Sequence, residues 1–391
     1  MRSSASCETL YNCSRKQWVL QVRPMQATFH DSLKFIYGDV APKKNGETST
    51  HLDVARGGTA AVHVIVHELA PGAMVRVEVQ SGPFGKPRLF RLHAVPVPVN
   101  TGLIGFTEDT DMGERGANRP NPFTARRAPF TVYDPMEPIG TSFAAKSPTA
   151  CLRIHLLVPL DMKPGVYTCP VTIRADTDRV VLYLRIRVHR ATIPPVGADS
   201  IPYTNWFLLP NMASGHDLKP WSPNHWRMIG NYAALMARVR QNIFLVTLTD
   251  IFTKRGKRFI LDEERLRRIV AVFTRAGLHW IEGGHLAVRK GAWNSALYFN
   301  ILGGEQSTDG AGVAALADVT GQLMRAIERN GWRSRWLQHV ADEPAGANVP
   351  DYRIATGIVR KYMPGITIFD ASADRGIPGA TDIWCPHVNY F

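Results

Sequence analysis

The stretch LQHVADEP, at residues 337–344, is the most informative part of this chain because it joins a short apolar run to two adjacent carboxylates and a proline. The apolar run predicts a β-strand, and the acidic residues Asp342 and Glu343 come just before a helical pattern. In an α/β barrel, functional side chains lie at the carboxyl ends of the strands, where each strand leads into a helix. The stretch therefore favours an α/β barrel with its chemistry centred on this acidic pair.

The rest of residues 196–391 repeats the alternation of apolar strand and amphipathic helix. No Gly-x-Gly-x-x-Gly or Walker-type loop opens a helix, which favours a (β/α)8 TIM-type barrel over a doubly wound nucleotide-binding sheet. Six strands precede the end of the sequence, so we expect an incomplete barrel that lacks its last βα units and leaves its first and sixth strands as open edges. The predicted strands are 203–209, 242–248, 278–282, 334–341, 366–370 and 382–385, and the predicted helices are 226–239, 262–277, 311–330 and 352–363.

Residues 30–195 show a different pattern, with short runs rich in β-branched residues and frequent turn signals. No long helical periodicity accompanies these runs, so they predict an antiparallel β-sandwich domain over 30–195. A poorly defined segment over 1–29 precedes it, and a (β/α) barrel catalytic-type domain over 196–391 follows. Pro194 and Pro195 mark the linker. The predicted sandwich strands are 61–67, 74–79, 152–158, 166–173 and 180–188.

The charge and the apolar content argue against a nucleic-acid binder and against a membrane-spanning protein. The formal net charge of +13 is dispersed over many elements without a recognition motif, so we expect no nucleic-acid partner. No apolar run approaches the roughly 18–20 residues that cross a bilayer, and the first residues show no apolar signal segment.

The five cysteines give no sign of a metal site. Their spacing matches no metal-ligand motif, so we expect neither a metal nor a cofactor. Whether Cys151 and Cys169 form a disulfide stays open at this point, as does the oligomeric state.

The ends of the other predicted strands supply further candidate site residues. Trp206 lies near the end of the first strand, Glu282 ends the third and His285 follows it, Asp370 ends the fifth and Trp384 lies in the sixth. Because the carboxyl ends of parallel barrel strands meet at one rim, these side chains are expected to converge there. Their composition suits a sugar, since aromatic faces stack on its C–H face and polar groups bind its hydroxyls.

Structural explanations compete with each of these assignments. Acidic residues followed by a proline are also typical of a helix N-terminus, where they interact favourably with the helix dipole. Glu282 and His285 flank a Gly-Gly pair that is compatible with a simple backbone bend. Tryptophans at strand ends are compatible with packing in the core, and Asp370 has no feature that separates the two explanations.

Short phrases in both halves of the chain resemble glycoside hydrolase family 123, whose best-known members are β-N-acetylgalactosaminidases. The resemblance extends over about residues 50–391. The phrases are YDPMEP at 133–138, PLDMKPGVY at 159–167, IEGGHL at 281–286, HVADEP at 339–344 and DIWCP at 382–386.

The resemblance implies a β-N-acetylhexosaminidase-type glycosidase that acts on a glycan by a substrate-assisted, retaining mechanism. In such a mechanism the 2-acetamido oxygen of the substrate attacks the anomeric carbon. By carry-over, Asp342 orients and polarises the acetamido N–H, and Glu343 protonates the departing oxygen before it deprotonates the incoming water. Neighbouring residues on a regular strand point to opposite faces, so both carboxylates can face the substrate only if the chain leaves strand geometry at Asp342.

Two other interpretations are compatible with the sequence: a non-catalytic carbohydrate-binding protein and an inactive truncated glycosidase. The identity of the sugar, its linkage and exo or endo action stay open. The family resemblance also implies an extracellular or periplasmic location if the true start of the protein lies upstream.

Overall fold

The chain divides into two structural units, Met1–Ile193 and Pro194–Phe391. The computed structural model describes residues 24–41, 48–99, 125–256, 258–302, 310–372 and 374–386. None of the helices in these ranges combines the length and the apolar content needed to cross a lipid bilayer.

The first unit contains two sheets, in which neighbouring strands are antiparallel except for one parallel pair. The strand order is β1-β4-β9-β6-β7-β2 in one sheet and β3-β11-β10-β5-β8 in the other, and β3 and β11 are the parallel pair. The strands are β1 (Gln26–His30), β2 (Ile36–Tyr37), β3 (Ser49–Arg56), β4 (Thr59–His67), β5 (Met74–Val79), β6 (Arg88–Val97), β7 (Phe130–Ile139), β8 (Ser142–Ala144), β9 (Ala150–Leu157), β10 (Gly165–Ala175) and β11 (Asp178–Thr192).

Alternation of apolar and polar residues explains how these strands pack. In β11, Leu182, Leu184 and Ile186 are buried, whereas Tyr183 between them is exposed. Both sheets contribute their apolar faces to one buried cluster, to which β4 supplies Val62. The five strand regions predicted from the sequence of this unit are confirmed, with ends that differ by a few residues.

Cys151 and Cys169 are buried, free cysteines. Cys169 belongs to the main apolar cluster of the unit, whereas Cys151 packs in a separate small cluster with Ile36 and Ile65. Burial raises the pKa of the Cys151 thiol to about 12. Both cysteines therefore act as small apolar side chains rather than as a disulfide.

The second unit is built around a parallel sheet with the order β12-β15-β18-β19-β20. Two antiparallel hairpins, β13-β14 and β16-β17, lie outside this sheet. The strands are β12 (Ile243–Val246), β13 (Phe252–Arg255), β14 (Arg258–Leu261), β15 (Trp280–Gly283), β16 (Ala287–Arg289), β17 (Leu297–Phe299), β18 (Trp336–Gln338), β19 (Thr367–Ser372) and β20 (Ile383–Pro386). The helices are α1 (Leu209–Gly215), α2 (Pro223–Arg238), α3 (Leu248–Ile251), α4 (Glu263–Ala276), α5 (Gly310–Arg329) and α6 (Val349–Tyr362).

The longer helices follow the sequence signals for helix ends and apolar faces. Ser222 caps α2 by accepting a hydrogen bond from the His225 backbone N–H, and Asp262 caps α4 in the same way through Arg265. Gly277 ends α4 with φ of 111°, a conformation that few other residues adopt at low cost. Buried side chains of α2, α4, α5 and α6 pack with the sheet residues in one apolar core.

The predicted first strand at 203–209 is wrong. Residues 201–208 form no strand, and Leu209 begins helix α1. The Tyr203 carbonyl accepts hydrogen bonds from the backbone N–H groups of Asn242 and Ile243, so this segment touches the start of β12 without forming a ladder. The Tyr203 N–H donates to the side-chain Oδ1 of Asn242 at 2.9 Å, so it is not available for a ladder with a neighbouring strand.

Candidate active site

A buried histidine joins three neighbouring strands of the parallel sheet. His339 directly follows β18, and its Nε2 donates to Oε1 of Glu282 on β15 at 2.5 Å. Its Nδ1 donates to Oδ1 of Asp370 on β19 at 2.6 Å. The side chains of all three residues are at most 1% exposed. Because the strands are parallel neighbours, their carboxyl ends bring the three groups together.

The two carboxylates keep His339 protonated. Burial alone lowers the pKa of His339, but the hydrogen bonds and charges of Asp370 and Glu282 outweigh it and raise the pKa to about 9. Burial of Glu282 acts to raise its pKa, yet the hydrogen bond and charge of His339, with hydrogen bonds from Thr204 and Trp206, lower it overall. We therefore describe the group as an imidazolium held between two carboxylates.

The remaining carboxylate oxygens of this network also have donors. Thr204 Oγ1 donates to Glu282 Oε2 at 2.6 Å, and Trp206 Nε1 donates to Glu282 Oε1 at 2.8 Å. The Tyr352 hydroxyl and the Val340 backbone N–H donate to Asp370 Oδ2 at 2.6 and 3.0 Å. Every oxygen of the two buried carboxylates is therefore hydrogen-bonded, as a stable buried ionic network requires.

His285 lies beside this network, and unlike His339 it is uncharged. Its ring centroid is 4.7 Å from that of His339 and 5.2 Å from that of Trp206. Burial, followed by the positive charge of His339, lowers the pKa of His285 to about 4, so its imidazole is neutral near neutral pH. Its buried Nε2 lies 4.0 Å from Asp342 Oδ1 and has no hydrogen-bond partner in the described part of the chain.

The acidic pair lies in a turn rather than on a strand. Strand β18 ends at Gln338, and Glu343 has φ of 40°, in the left-handed region that non-glycine residues rarely adopt. The expected departure from strand geometry near Asp342 is therefore present. The Asp342 side chain is 45% exposed and Glu343 is partly exposed, so both carboxylates are accessible to a ligand.

Arg289 holds the backbone of this turn. Its Nη2 donates to the Asp342 carbonyl and, at 2.5 Å, to the Glu343 carbonyl. The guanidinium lies 3.9 Å from the centre of the Trp293 ring, which supports it by a cation–π contact. On the other side of the turn, Ser372 donates its hydroxyl to the Pro344 carbonyl at 2.6 Å.

The candidate residues from the sequence fall into three groups, which are the acidic pair Asp342 and Glu343 in the turn, four residues around His339, and Trp384. Trp206, Glu282, His285 and Asp370 come together around His339, next to the acidic turn. Trp384 does not join this network among the described residues: its Nε1 donates to the Ser372 carbonyl at 3.0 Å and its ring packs against the apolar core.

One group of potential metal ligands is present among the described residues: His285, His339 and Asp370, whose ligand atoms lie within 4.8 Å of one another. The chemistry of His339 argues against metal binding, because its carboxylate partners raise its pKa to about 9 and so favour the form in which both nitrogens carry protons. A metal would have to displace a proton that the surrounding charges stabilise.

Sequence reasoning missed His339, Thr204, Tyr352 and Arg289 as site residues. A histidine inside an otherwise apolar strand region was the available signal for His339, because a buried titratable group needs partners. Thr204, Tyr352 and Arg289 carried no comparable signal. Their roles depend on contacts across 78, 18 and 53 or more residues of sequence.

Comparison with known proteins supports the fold. No protein-family model and no curated protein sequence matches the chain. The structure is similar to a family 123 glycoside hydrolase from Clostridium perfringens, with a TM-score of 0.66 and 10% sequence identity over 94% of this chain and 68% of that chain. At this identity the similarity shows the fold alone, and the chain therefore has a glycoside hydrolase-like fold.

Two further solved structures match with much lower scores. They are β-glucuronidase 3 from Bacteroides uniformis, at TM-score 0.27 and 9% identity over 93% of this chain and 35% of that chain, and a GH10 xylanase from termite gut, at TM-score 0.23 and 8% identity over 83% and 62%. These scores are too low to support an argument.

Proposed function

We propose that this protein is a glycoside hydrolase that cleaves β-glycosides of N-acetylhexosamine, of the N-acetylgalactosamine type, by substrate-assisted retaining catalysis. The observation that carries the proposal is the accessible Asp342–Glu343 pair in a constrained turn beyond β18, directly beside the buried Glu282–His339–Asp370 network. The glycoside hydrolase-like fold supports it. We also propose that the two sheets of the first unit form a β-sandwich and that the second unit is a TIM-type barrel.

The two carboxylates of the pair have different roles in the proposed reaction. The acetamido oxygen of the substrate attacks the anomeric carbon while Asp342 accepts a hydrogen bond from the acetamido N–H and stabilises the positive charge that develops on the group. Glu343 donates its proton to the departing glycosidic oxygen. Water then opens the oxazoline intermediate as Glu343 takes its proton, which leaves the anomeric configuration unchanged.

The buried carboxylates are poor candidates for a protein nucleophile. Glu282 and Asp370 have no exposed surface, and each of their oxygens accepts a hydrogen bond. An attacking oxygen would have to leave those partners and reach a ligand through packed atoms. We therefore assign both residues to positioning His339, and this favours the substrate's own acetamido group as the nucleophile.

Trp206 and His285 are the proposed sugar contacts of this site. Trp206 is 45% exposed, and its N–H is fixed by Glu282, so the ring can present a rigid face to a pyranose. The neutral imidazole of His285 can exchange a hydrogen bond with a hydroxyl or with Asp342. For Trp384 we propose a supporting role through Ser372, whose hydroxyl holds the Pro344 carbonyl of the acidic turn.

The proposal is tested by comparing an aryl N-acetyl-β-D-galactosaminide with the matching aryl β-D-galactoside, which has a hydroxyl in place of the acetamido group. We expect turnover of the first substrate alone, with the β-anomer as the initial product in an NMR time course. Equal turnover of both substrates would contradict a role of the acetamido group in catalysis. An α-anomer as the initial product would contradict retention of the anomeric configuration. Saturable sugar binding without turnover of any aryl glycoside would support a carbohydrate-binding protein instead.

A further inference from the structure

A cavity of about 560 Å³ opens beside the acidic turn, and none of the described residues that line it has a charged side chain. Its lining includes the Trp206 ring, the apolar side chains of Leu245 and Leu302, and the hydroxyl-bearing Thr247. The volume falls in the range of roughly 300–1,000 Å³ that is typical of small-molecule sites. Such a lining offers an apolar wall with a few polar groups and no counter-ion for an anion.

Two residues that line this cavity each have a buried polar atom without a hydrogen-bond partner among the described residues. The atoms are Nε2 of His285 and Oδ1 of Asn300. A buried polar atom without a partner costs about 1–3 kcal/mol, so two such atoms in one cavity are expected to have a partner in another state of the protein. A bound ligand would supply that partner.

The backbone holds Asn300 in place independently of its side chain. Asn300 directly follows β17, and its N–H donates to the Leu286 carbonyl at 3.1 Å. Leu286 is the neighbour of His285 in sequence, so the same backbone contact ties together the segments that carry the two unpartnered atoms. The side-chain amide is therefore available for a ligand without any change in the hairpin.

We propose that this cavity binds an uncharged saccharide unit and that Asn300 and His285 are its polar anchors. The identity of the ligand as a saccharide rests on the proposed function, whereas the anchors and the selection against charge rest on the cavity alone. An amide and a neutral imidazole each offer a donor and an acceptor, which matches sugar hydroxyls. A sulfated or carboxylated sugar would lose its hydration in this cavity without gaining a cation from the described residues of the lining.

Isothermal titration calorimetry of the full chain with N-acetylgalactosamine and with its 6-sulfate tests the proposal. We expect the neutral sugar to bind more tightly than the sulfate, and Asn300→Ala to weaken the neutral sugar by about 5- to 10-fold, the effect of one lost hydrogen bond. Asn300→Ser, which retains a small polar group, should have an intermediate affinity. Thr249→Lys adds a cation at an exposed position of the lining and should narrow the difference between the two sugars.

Asn330→Ala is the matched control. The Asn330 amide donates to Glu263 and to the Ala326 carbonyl and does not line the cavity, so its loss should lower the melting temperature and leave sugar affinity unchanged. Asn300→Ala should weaken sugar binding and leave the melting temperature unchanged. Unchanged affinity in both Asn300 variants, equal affinity for the sulfated sugar, or failure of the wild-type chain to bind the neutral sugar would each overturn the proposal.

A parallel measurement of aryl glycoside turnover separates this inference from the proposed function. Sugar binding that depends on Asn300 without any turnover would support the cavity assignment and contradict the hydrolase. Turnover that is unchanged in both Asn300 variants would support the hydrolase and contradict the cavity assignment.

Discussion

The two units of this protein differ in what they bury. Among the described residues, the first unit buries no aspartate or glutamate, and its core is a nearly continuous apolar cluster between alternating strands. The second unit buries Asp250, Glu282 and Asp370, each of them at most 2% exposed. Burial of a charge is unfavourable unless partners compensate for it. The difference indicates that the second unit keeps buried charged residues, at a cost in stability, because two of them, Glu282 and Asp370, belong to its candidate active site.

Two buried histidines, one in each unit, show that burial alone does not set the charge of a histidine, because neighbouring carboxylates can outweigh it. Burial, followed by the charge of Arg153, lowers the pKa of His63 in the first unit to about 4. His339 in the second unit is also buried, yet its two carboxylates raise its pKa to about 9. The same side chain is therefore neutral in one core and cationic in the other.

Replacement of these histidines by leucine gives the largest expected difference between the units. His339→Leu leaves Glu282 and Asp370 buried without the cation between them, and we expect a loss of about 3–5 kcal/mol in the free energy of unfolding. His63→Leu removes an acceptor for Arg153 and should cost about 1 kcal/mol.

Urea unfolding followed by fluorescence and circular dichroism measures both losses. Eight of the nine tryptophans lie in the second unit, with Trp18 the exception, so fluorescence reports mainly on that unit. Equal losses of unfolding free energy in His339→Leu and His63→Leu would contradict the assignment of a charged histidine to one unit and a neutral histidine to the other.

The pH dependence of stability is the next largest effect. Because the pKa of His339 is raised on folding, its contribution is fully present below about pH 6.5 and is lost as pH rises through about 9, at up to about 1.4 kcal/mol per pH unit. His63 and His285, whose pKa values are lowered to about 4, act in the opposite sense, and their contributions are lost as pH falls from about 6.5 to 4.

Fluorescence-detected urea unfolding between pH 6.5 and 9.5 checks this window. The wild-type chain should lose stability as pH rises, and His339→Gln should lose the dependence. Constant or rising stability of the wild-type second unit over this range would show that His339 is neutral in the folded state.

Within the second unit, Arg289→Met tests whether the exposed acidic turn, unlike the buried network, depends on Arg289 for its position. The variant keeps an apolar stem but loses both hydrogen bonds to the carbonyls of Asp342 and Glu343. We expect kcat for the aryl N-acetyl-β-D-galactosaminide to fall about 10- to 100-fold with a smaller change in KM, since misplaced reacting groups slow the chemical step. Arg333→Met, which removes an exposed ion pair with Glu328, is the control. A change in KM alone would place Arg289 in ligand binding instead.

The sequence pattern predicted the regular elements well because their signals are local. Period-two alternation located five strands of the first unit, β4, β5, β9, β10 and β11, but its other described strands were not predicted. Caps such as Asp262 and Gly277 located helix ends to within a few residues. The segment at 203–209 failed because an apolar run beside Pro202 cannot be told from a strand without its hydrogen-bond partners. The hairpins β13-β14 and β16-β17 were missed because their strands have only three or four residues.

The candidate site was predictable to the extent that parallel strands align their carboxyl ends. That rule placed Glu282, His285 and Asp370 together. It could not identify His339 as the group that joins them, because the pairing depends on contacts 31 and 57 residues apart in sequence. Arg289 ends β16 and Asn300 follows β17 in a short hairpin without periodicity, so their approach to the acidic turn and the cavity follows only from the folded chain.

The most direct test of the account is the kcat/KM of Glu343→Gln for the aryl N-acetyl-β-D-galactosaminide. Loss of a general acid–base group predicts a fall of about 10²- to 10⁴-fold. Glu264→Gln, at an exposed position on α4, is the matched control and should retain wild-type activity. Activity of Glu343→Gln equal to that of the wild type would contradict the assignment of catalysis to the acidic turn.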